Sequence, residues 1–399
     1  MDVTAQSENS GSESSATSET AAEPIDLEGV SKTFPDGSVG VREVNLHFAA
    51  GELSVLVGPS GCGKTTTMKM INRIIEPSTG RILFGGEDVT KADPHQLRRR
   101  IGYVIQNVGL FPHQSIRNNV ATVPKLLDWD KQKIADRVEE LLGTVGLDPA
   151  TFGNRYPHQL SGGQRQRAGV ARALAADPSV LLMDEPFSAV DPVVRERLQS
   201  EFLRLQAAVR KTIVFVTHDI EEAVRLGDRI AVMSEGGKVE QFASPAELLG
   251  KPATEFVADF VGSDRGLKRL AVTNIDTEDL EHPPVVHASD SLADARAVLE
   301  RADARWAVVL DGEEELHGWI SLERAQGPGT VVQNGRRMEA WVPVDATLKS
   351  AFSQMLQLEA GWVAVLDGGR FLGVLTPESL HSALRRSVDG SVPETAGAV

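Results

Sequence analysis

The sequence has little of what would anchor a protein in a membrane or stabilise it outside a cell. Its 399 residues include one cysteine, Cys62, so no disulfide can form within the chain and a cytosolic setting is favoured. No apolar run approaches the roughly 20 residues of a membrane-spanning helix. Residues 1–24 have neither the basic start nor the apolar segment of a signal peptide. If the protein works at a membrane, we expect a partner to hold it there.

The sequence also lacks an excess of basic residues. Its 41 lysines and arginines are outnumbered by 56 acids, and the formal net charge is -15. Such a surface repels phosphate backbones instead of releasing their counterions, which argues against nonspecific binding of nucleic acids. A hydrophobic content of 41% is ample for packed cores. The length predicts two to four domains at about 100–200 residues each.

Residues 1–24 contain no lysine or arginine and are rich in Ser, Glu, Thr and Ala. Because this composition cannot bury enough apolar surface to offset chain entropy, we predict a disordered acidic tail over these residues. From Ile25 a pattern of short strands begins, interrupted by a turn at residues 35–37. Phe34 precedes the turn. Its ring could stack on an adenine or pack within the hairpin, and the residues alone leave both interpretations open.

A glycine-rich segment lies between a strand-like run, 53–57, and a helix-like run, 67–72. It follows the pattern G-x-x-x-x-G-K-[ST], and its residues are Gly58, Pro59, Ser60, Gly61, Cys62, Gly63, Lys64, Thr65 and Thr66. The glycines allow backbone N–H groups to surround phosphates, Lys64 can reach the terminal phosphates, and the Thr65 hydroxyl can bind Mg²⁺. The segment predicts a nucleoside triphosphate site. Because Cys62 lies within it, we expect alkylation of that thiol to block activity and ATP to protect.

Polar side chains follow three further strand-like runs. Asp184 and Glu185 come after one apolar run, and they could hold Mg²⁺ and polarise an attacking water, respectively. His218 comes after another run and could bind the γ-phosphate while holding Glu185 and the water in line. Gln106 ends a third run. Its amide oxygen could bind Mg²⁺ or the attacking water, or the residue could be an ordinary polar strand end. The pattern predicts an α/β fold with a parallel sheet and its site at the carboxyl ends of the strands.

A second glycine pair opens a helix-like segment that runs to about residue 176. Ser161 suits the N-cap, and Gly162, Gly163 and Gln164 follow it. Each glycine in a helix costs about 1 kcal/mol relative to alanine, so we infer that something approaches this backbone closely. The segment predicts a second anion-binding helix end, presented to the triphosphate of another molecule.

Together these residues resemble the ATP-binding cassette family of transporter ATPases. The matching residues are the phosphate loop at 58–65, Gln106 of the Q-loop, the signature at 160–164, Asp184 and Glu185 of the second Walker motif, the D-loop at 188–191, and His218. The resemblance covers about residues 25–262. It implies a RecA-like α/β core with an antiparallel β subdomain, and a helical subdomain between Gln106 and Ser161.

The resemblance also implies roles for the residues, with ATP and Mg²⁺ as cofactors. The residues implied to bind ATP are Phe34, Gly58, Pro59, Ser60, Gly61, Cys62, Gly63, Lys64, Thr65, Thr66, Ser161, Gly162, Gly163 and Gln164. Those implied to bind Mg²⁺ are Thr65, Gln106 and Asp184. Those implied to act in catalysis are Glu185, His218 and Gln106.

Partners follow from the resemblance as well. Only one cassette is present, so a head-to-tail homodimer is implied, in which each ATP lies between one chain's phosphate loop and the other chain's signature. The apolar loop at 107–113 resembles the family's contact with a membrane permease. The resemblance therefore implies a permease, an extracytoplasmic substrate-binding protein or domain, a place at the cytoplasmic face of the inner membrane, and no nucleic-acid partner.

The C-terminal third contains an internal repeat. Residues 291–312 match residues 347–368, and each unit continues into a further short strand. This order of helix, strand, Asp-Gly turn and strand resembles a tandem pair of CBS domains, over 266–325 and 330–386. A flexible tail is predicted for 387–399.

Tandem CBS pairs often bind adenine nucleotides through an Asp or Asn three residues beyond a Ser or Thr. Arg324 and Ser379 stand at those positions here. This departure argues against a simple AMP or ATP site. A cyclic dinucleotide, ionic-strength sensing and support of the dimer alone remain as alternatives.

A cassette followed by a CBS pair is similar to the ATPase subunits of osmoprotectant importers. The resemblance implies import of glycine betaine, proline betaine, carnitine or choline. One alternative keeps the importer and changes the solute to an amino acid or an ergothioneine-like betaine. Another is a cytosolic ATPase of the same family that acts on DNA or ribosomes, which the acidic charge disfavours.

Overall fold

The structure is a computed structural model that describes residues 20–389, apart from 107, 189 and 313. Its strands in chain order are β1 (Ile25–Thr33), β2 (Val39–Phe48), β3 (Leu53–Val57), β4 (Thr79–Phe84), β5 (Glu87–Asp88), β6 (Ile101–Val104), β7 (Val180–Asp184), β8 (Thr212–Val216), β9 (Arg229–Ser234), β10 (Lys238–Ala243), β11 (Val285–His287), β12 (Trp306–Leu310), β13 (Leu316–Ser321), β14 (Arg336–Arg337), β15 (Trp341–Pro343), β16 (Val363–Asp367) and β17 (Arg370–Leu375).

The helices alternate with these strands through most of the chain. In chain order they are α1 (Lys64–Ile71), α2 (Pro94–Arg99), α3 (Ile116–Val120), α4 (Thr122–Leu126), α5 (Lys131–Thr144), α6 (Pro149–Phe152), α7 (Gly162–Leu174), α8 (Pro192–Val209), α9 (Ile220–Leu226), α10 (Pro245–Gly250), α11 (Glu255–Val261), α12 (Arg265–Val272), α13 (Leu292–Arg301), α14 (Val331–Asn334), α15 (Leu348–Gln357) and α16 (Pro377–Asp389).

A six-stranded sheet with the order β10-β9-β3-β8-β7-β6 forms the centre of the N-terminal part. Its pairs from β9 to β6 are parallel, and β10 is an antiparallel edge strand. Strands β3, β7 and β8 are buried at every position. Since both faces of a parallel sheet are covered, such strands are near-continuous apolar runs in the sequence, as these three are.

The two faces of this sheet belong to different packed layers. In β8, Ile213 and Phe215 join the core shared with α5, α7 and α8, whereas Val214 and Val216 join the core shared with α1 and an antiparallel sheet. That second sheet has the order β2-β1-β4-β5. Helices α3 to α6 lie between Gln106 and Ser161. The predicted α/β cassette, with its antiparallel β subdomain and helical subdomain, is confirmed.

The chain joins this cassette earlier than the sequence predicted. Lys211 Nζ donates to the carbonyl of Thr20 at 2.7 Å, and Thr212 Oγ1 donates to the carbonyl of Glu23 at 2.8 Å. Arg100 forms an ion pair with the Glu23 carboxylate at 2.8 Å. Residues 20–24 are thus bound to the cassette by distant partners, which local composition does not reveal, and the predicted boundary at 24 is wrong by these residues. Residues 1–19 lie outside the described part of the chain.

The C-terminal part repeats one topology. Its sheets have the orders β11-β12-β13-β14 and β15-β16-β17, with a parallel first pair and an antiparallel second pair in each. Trp306 and Trp362, at matching positions of β12 and just before β16, stack with ring centroids 4.3 Å apart. The repeat found in the sequence is therefore a pair of packed units.

The division between these two units differs from the predicted one. Ile275 donates its backbone N–H to Ala346 at 3.0 Å, and Leu348 donates to Thr273 at 2.8 Å. Leu270, Ile275 and Leu280 are buried in the core of the second unit, not the first. Residues 265–281 thus complete the second unit, although they precede the first in sequence. Helix α16 also continues to Asp389, so residues 387–389 are helical instead of tail, and 390–399 lie outside the described residues.

None of the described helices combines the length and the apolar character that a membrane crossing requires.

We expect Ile275→Ala to lower the free energy of unfolding of the C-terminal module by about 2–4 kcal/mol, because this side chain is 7% exposed within the second unit's core. Urea unfolding followed by tryptophan fluorescence measures this, since four of the five tryptophans lie in the module: Trp306, Trp319, Trp341 and Trp362.

The matched control is Leu356→Ala, in the same unit, whose side chain is 64% exposed. Its effect should stay below about 1 kcal/mol. Equal effects of the two substitutions would show that residues 265–281 do not belong to this core.

Candidate nucleotide-binding and catalytic site

The phosphate loop connects β3 to α1 and is shaped by close backbone approaches. At Gly58, where φ is +155°, an added Cβ would lie 2.2 Å from the carbonyl oxygen of Met233. At Gly63, where φ is +100°, it would lie 2.5 Å from the carbonyl oxygen of Gly40. Both positions therefore require glycine. Gly63 is also the N-cap of α1 and provides no side-chain cap, which leaves the first N–H groups of this helix for an anion.

Lys64 begins α1 and is 6% exposed. Its Nζ donates to the carbonyl oxygens of Gly58 and Pro59, at 2.7 and 2.9 Å. Both acceptors are neutral, so hydrogen bonds satisfy the ammonium group without balancing its charge. A buried cation in this state favours an anionic ligand.

Cys62 faces the protein core instead of the loop's exposed side. Its side chain is 1% exposed, and it packs with the buried residues that separate the central sheet from the antiparallel sheet. The Lys64 ammonium lies 3.5 Å from its sulfur. Any contact of Cys62 with a phosphate would therefore involve its backbone. This burial argues against the expectation that alkylation of the thiol blocks activity and that ATP protects it.

Asp184 ends β7 and is 9% exposed. Its Oδ1 accepts a hydrogen bond from the Thr65 hydroxyl at 3.1 Å. Burial raises the pKa of the Asp184 carboxyl, the Thr65 bond opposes the rise, and the charge of Glu185 adds to it. Burial also raises the pKa of the neighbouring Tyr103 to about 12, and the Asp184 charge contributes. A cation beside Asp184 would stabilise its charged form.

The oxygens around Asp184 fit a magnesium ion. Carboxylate and hydroxyl oxygens are the hard ligands that Mg²⁺ prefers, and Mg²⁺ sites commonly combine one or two carboxylates with phosphate oxygens and water. Across the described residues there is no group of three or more His, Cys, Asp and Glu placed to hold a metal. The residues present thus suit an ion that shares its coordination with a bound triphosphate.

Glu185 lies between two other polar side chains that the sequence predicted for the site. Its Oε2 accepts a hydrogen bond from Gln106 Nε2 at 3.2 Å and lies 3.2 Å from His218 Nδ1. Its backbone has a φ of +43°, which is strained for a residue with a side chain. Ser188 holds this conformation, because its N–H and its hydroxyl both donate to the Glu185 carbonyl. Gln106 contacts Glu185 through its amide nitrogen, which leaves the amide oxygen for another partner.

Phe34 lies beside the phosphate loop, at the hairpin between β1 and β2. The ring is half-buried, and Lys32 Nζ is 5.7 Å from its centroid. A Cβ on Gly40 would lie 2.7 Å from the ring and 3.4 Å from the side chain of Thr66. The fold therefore brings this aromatic ring next to α1 while leaving part of it accessible.

The signature segment forms the start of α7, and its N-terminus is capped internally. Ser161 Oγ accepts from the N–H of Gln164 at 3.3 Å, and Gln164 Oε1 accepts from the N–H of Ser161 at 2.9 Å. Ser161 and Gly162 are exposed. Among the described contacts, none joins this segment to the phosphate loop of the same chain.

Gly163 allows two helices to pack closely, a role that the sequence did not indicate. A Cβ there would lie 3.3 Å from Leu198, so the residue allows close packing of α7 against α8. At Gly162 the nearest atom to a Cβ would be 3.9 Å away. Gly163 thus has a packing role of its own, and the approach of a ligand to both glycines stays a prediction.

Arg172, near the end of α7, is a residue that sequence reasoning missed. Its two terminal nitrogens donate to the carbonyls of Val108 and Gly109, at 2.9 and 2.6 Å, in the loop after Gln106. Burial lowers the pKa of its guanidinium. No sequence pattern pointed to Arg172, because its partners are more than 60 residues away. One helical turn earlier, Gly169 lies on the same face, where a Cβ would lie 2.4 Å from Val108.

Ser379 and Arg324, the two departures from a nucleotide-binding CBS pattern, have other partners. The Ser379 hydroxyl accepts from the N–H of Thr376 at 2.8 Å, and the Thr376 hydroxyl donates to Glu281 at 2.5 Å. Arg324 donates to the carbonyl of Asn334 at 3.3 Å. These side chains stabilise the units themselves.

Known proteins share these features along most of the chain. The ABC transporter family profile matches residues 41–188, and the CBS domain profile matches 274–325. The osmoprotectant import ATP-binding protein OsmV of Salmonella typhimurium is 44% identical over 367 residues, which cover 90% of this chain and 96% of that protein. The glycine betaine/carnitine/choline transport ATP-binding protein OpuCA of Bacillus subtilis is 42% identical, with 92% and 97% covered. The chain belongs to the ABC transporter ATPases.

A further relative of this ABC ATPase is named for a different solute. The spermidine/putrescine import ATP-binding protein PotA of Chromobacterium violaceum is 48% identical over 374 residues, which cover 93% of this chain and 96% of that protein. Among solved structures, the dimeric post-hydrolysis state of the ATP-binding cassette MJ0796, bound to ADP and Pi, matches with a TM-score of 0.50. It is 32% identical and covers 55% of this chain and 98% of that one.

We expect the Cys62 thiol of the folded ABC ATPase to react with iodoacetamide at least about tenfold more slowly than in the urea-unfolded chain, because burial shields it. Labelling followed by intact-mass measurement tests this directly, since the chain has no other cysteine. MgATP should change the rate little. Fast labelling without nucleotide, together with protection by MgATP, would contradict the buried position and restore the expectation from the sequence.

Proposed function

We propose that this ABC ATPase energises an importer for osmoprotectants such as glycine betaine, proline betaine, carnitine or choline. The observation that carries the proposal is the extent of the likeness to the osmoprotectant import protein OsmV, which spans both the cassette and the C-terminal module over 90% of this chain. The likeness to the glycine betaine/carnitine/choline relative from Bacillus subtilis is similarly extensive and covers 92% of this chain.

In this proposal the phosphate loop from Gly58 to Thr66 holds the phosphates of ATP. Its backbone N–H groups and the start of α1 supply positive potential, and Lys64 supplies a full charge. Phe34 stacks on the adenine. The neutral partners of Lys64, at 2.7 and 2.9 Å, support its role, because among the described residues no ion pair ties the ammonium to a carboxylate.

Thr65, Asp184 and Gln106 hold Mg²⁺ in the same proposal. The ion, when bound, offsets the negative charge of the phosphates. Support comes from the 3.1 Å contact between Thr65 and Asp184 and from the burial that raises the pKa of Asp184. The amide oxygen of Gln106 is available for the ion, since its nitrogen already contacts Glu185.

Glu185 polarises the attacking water, and His218 keeps Glu185 in position and donates a hydrogen bond to the γ-phosphate. The shared oxygen supports this pairing, because Glu185 Oε2 lies 3.2 Å from both Gln106 Nε2 and His218 Nδ1. Held from two sides, the carboxylate keeps one orientation without a ligand, which lowers the cost of ordering it during the reaction.

Ser161, Gly162, Gly163 and Gln164 act on the ATP of a second copy in a head-to-tail homodimer. Ser161 and Gly162 are exposed at the N-terminus of the 13-residue helix α7, which supports this. The dimeric form of the related cassette MJ0796, 33% identical, gives further support. Hydrolysis removes the attraction between the γ-phosphate and the partner's helix end, so the two copies separate.

The remaining partners are an integral membrane permease and an extracytoplasmic substrate-binding protein or domain, with the ABC ATPase at the cytoplasmic face of the inner membrane. Phe111 and Leu126, in and near the loop that follows Gln106, are 38% and 72% exposed, and they support a permease contact there. The net charge of -15 argues against nucleic acid as a partner.

A polyamine is the second candidate for the imported solute. The spermidine/putrescine import protein of Chromobacterium violaceum favours it, with 48% identity over 93% of this chain. For either solute, the proposed extracytoplasmic solute-binding partner holds the solute.

We expect Glu185→Gln to reduce ATP turnover at least about a hundredfold while ATP binding is retained, because the amide keeps the shape but cannot act as a base. Phosphate release measures turnover, and equilibrium dialysis with labelled ATP measures binding. Glu221→Gln, an exposed acid in the first turn of α9, is the control and should leave both unchanged. Normal steady-state hydrolysis by Glu185→Gln would remove Glu185 from the mechanism.

We expect the tagged chain to be purified from detergent-solubilised membranes together with a permease, and the complex in proteoliposomes to import betaines in an ATP-dependent manner. The panel contains glycine betaine, proline betaine, carnitine, choline, ergothioneine and spermidine, each at low and high ionic strength. Import of spermidine alone would select the polyamine candidate. Recovery of ribosomal or DNA partners without a permease would overturn the transport proposal.

A further inference from the structure

A cleft of about 460 Å³ lies between α7 and α8, away from the phosphate loop. Its walls come from the end of α5, the middle of α7 and the outer half of α8. Ligand pockets for small molecules commonly measure about 300–1,000 Å³ and are mostly apolar with a few polar groups. The cleft therefore has the size and the position, between two packed elements, of a small-molecule site.

Apolar side chains form most of the inner surface. Val170 comes from α7, Phe187 from the segment after β7, and Leu198, Phe202 and Leu205 from α8. All five are buried in the core cluster, yet they also line this opening. An apolar ligand body in the cleft would cover surface that water now reaches.

A buried polar group interrupts this apolar wall. Gln166 of α7 is 3% exposed and lines the cleft. Its Nε2 is buried and has no hydrogen-bond partner within the described part of the chain. Because an unpaired buried donor is unfavourable, an acceptor on a ligand would stabilise it.

The rim of the cleft carries a positive excess. Arg167, Arg197 and Arg204 line it together with one acid, Glu201, which leaves two formal positive charges in excess. Glu201 is partly neutralised by Arg197 at 3.0 Å and Arg167 at 3.7 Å. Arg204 is exposed and has no hydrogen-bond or ion-pair partner among the described residues. The rim thus favours an anionic group next to Arg204.

We propose that this cleft binds a small amphipathic anion, with an apolar body among the five buried side chains, a hydrogen-bond acceptor at Gln166 and an anionic group at Arg204. The site is separate from the ATP site. Such a ligand contacts α7 and α8 at once, so it links the signature helix to the helix that follows β7.

The test uses 6-hydroxynaphthalene-2-sulfonate as the probe and the full chain as the protein, with binding measured by calorimetry. The probe has a hydroxyl and a sulfonate at opposite ends of an apolar ring system. Naphthalene-2-sulfonate lacks the hydroxyl, and 2-naphthol lacks the sulfonate. We expect about one site per chain, and a loss of affinity of about fivefold or more when either polar group is missing.

Matched variants locate the site. Ala208→Trp fills the mouth of the cleft and should weaken probe binding at least about tenfold, whereas Ala207→Trp, at the adjacent exposed position outside the cleft, should leave it unchanged. Arg204→Gln should abolish the higher affinity of the probe relative to 2-naphthol, which lacks the sulfonate. Arg42→Gln, at an exposed site on β2, should preserve this difference. Gln166→Leu should abolish the higher affinity of the probe relative to naphthalene-2-sulfonate, which lacks the hydroxyl.

Failure of the probe to bind at one site overturns the proposal. Equal affinities of Ala208→Trp and Ala207→Trp overturn it as well, since the probe would then bind elsewhere. If Ala208→Trp does not fold, Arg204→Gln decides, because this exposed substitution does not disturb the core. An unchanged preference for the sulfonate in Arg204→Gln would contradict the assignment.

Discussion

Backbone hydrogen bonds between β3, β8 and β7 fix the site. Val216 of β8 pairs with Leu56 on one side and with Asp184 on the other, so three chain segments reach the sheet edge at the same level. The pairing continues one step beyond the strands, where Thr217 donates to Leu56 at 3.1 Å and Glu185 donates to Val216 at 3.0 Å. The phosphate loop, the acidic pair and His218 therefore emerge side by side, and their short distances follow from strand register.

Two buried charges at this edge of the sheet favour the binding of a charged ligand. The Lys64 ammonium is buried with neutral acceptors, and the Asp184 carboxylate is buried with a hydroxyl partner and a raised pKa. Each group alone is costly to bury, because the interior does not replace the solvation lost from water. A phosphate beside Lys64 and a cation beside Asp184 would balance the two charges. This is a physical reason for the site to bind a phosphate and a cation together.

Helix α7 connects several parts of the molecule. Its first residues form the exposed signature end, Gly163 allows it to approach α8, and Arg172 holds the loop after Gln106. Helix α7 has 13 residues, so one continuous rigid element connects the signature end to that loop. The C-terminal module joins the cassette through α12, whose Leu270 belongs to the core of the second repeat unit.

The sequence by itself determined the cassette, its phosphate loop, the acidic pair, His218, Gln106 and the C-terminal repeat, because apolar runs, glycine spacing and internal similarity are local patterns. Only the tertiary structure decided that residues 20–24 bind the cassette, that residues 265–281 complete the second repeat unit, that the Cys62 thiol faces the core, and that Gly163 serves packing against Leu198. Each of these depends on a partner distant in the chain. No local pattern records such a contact, because its free energy arises only when folding brings the two surfaces together.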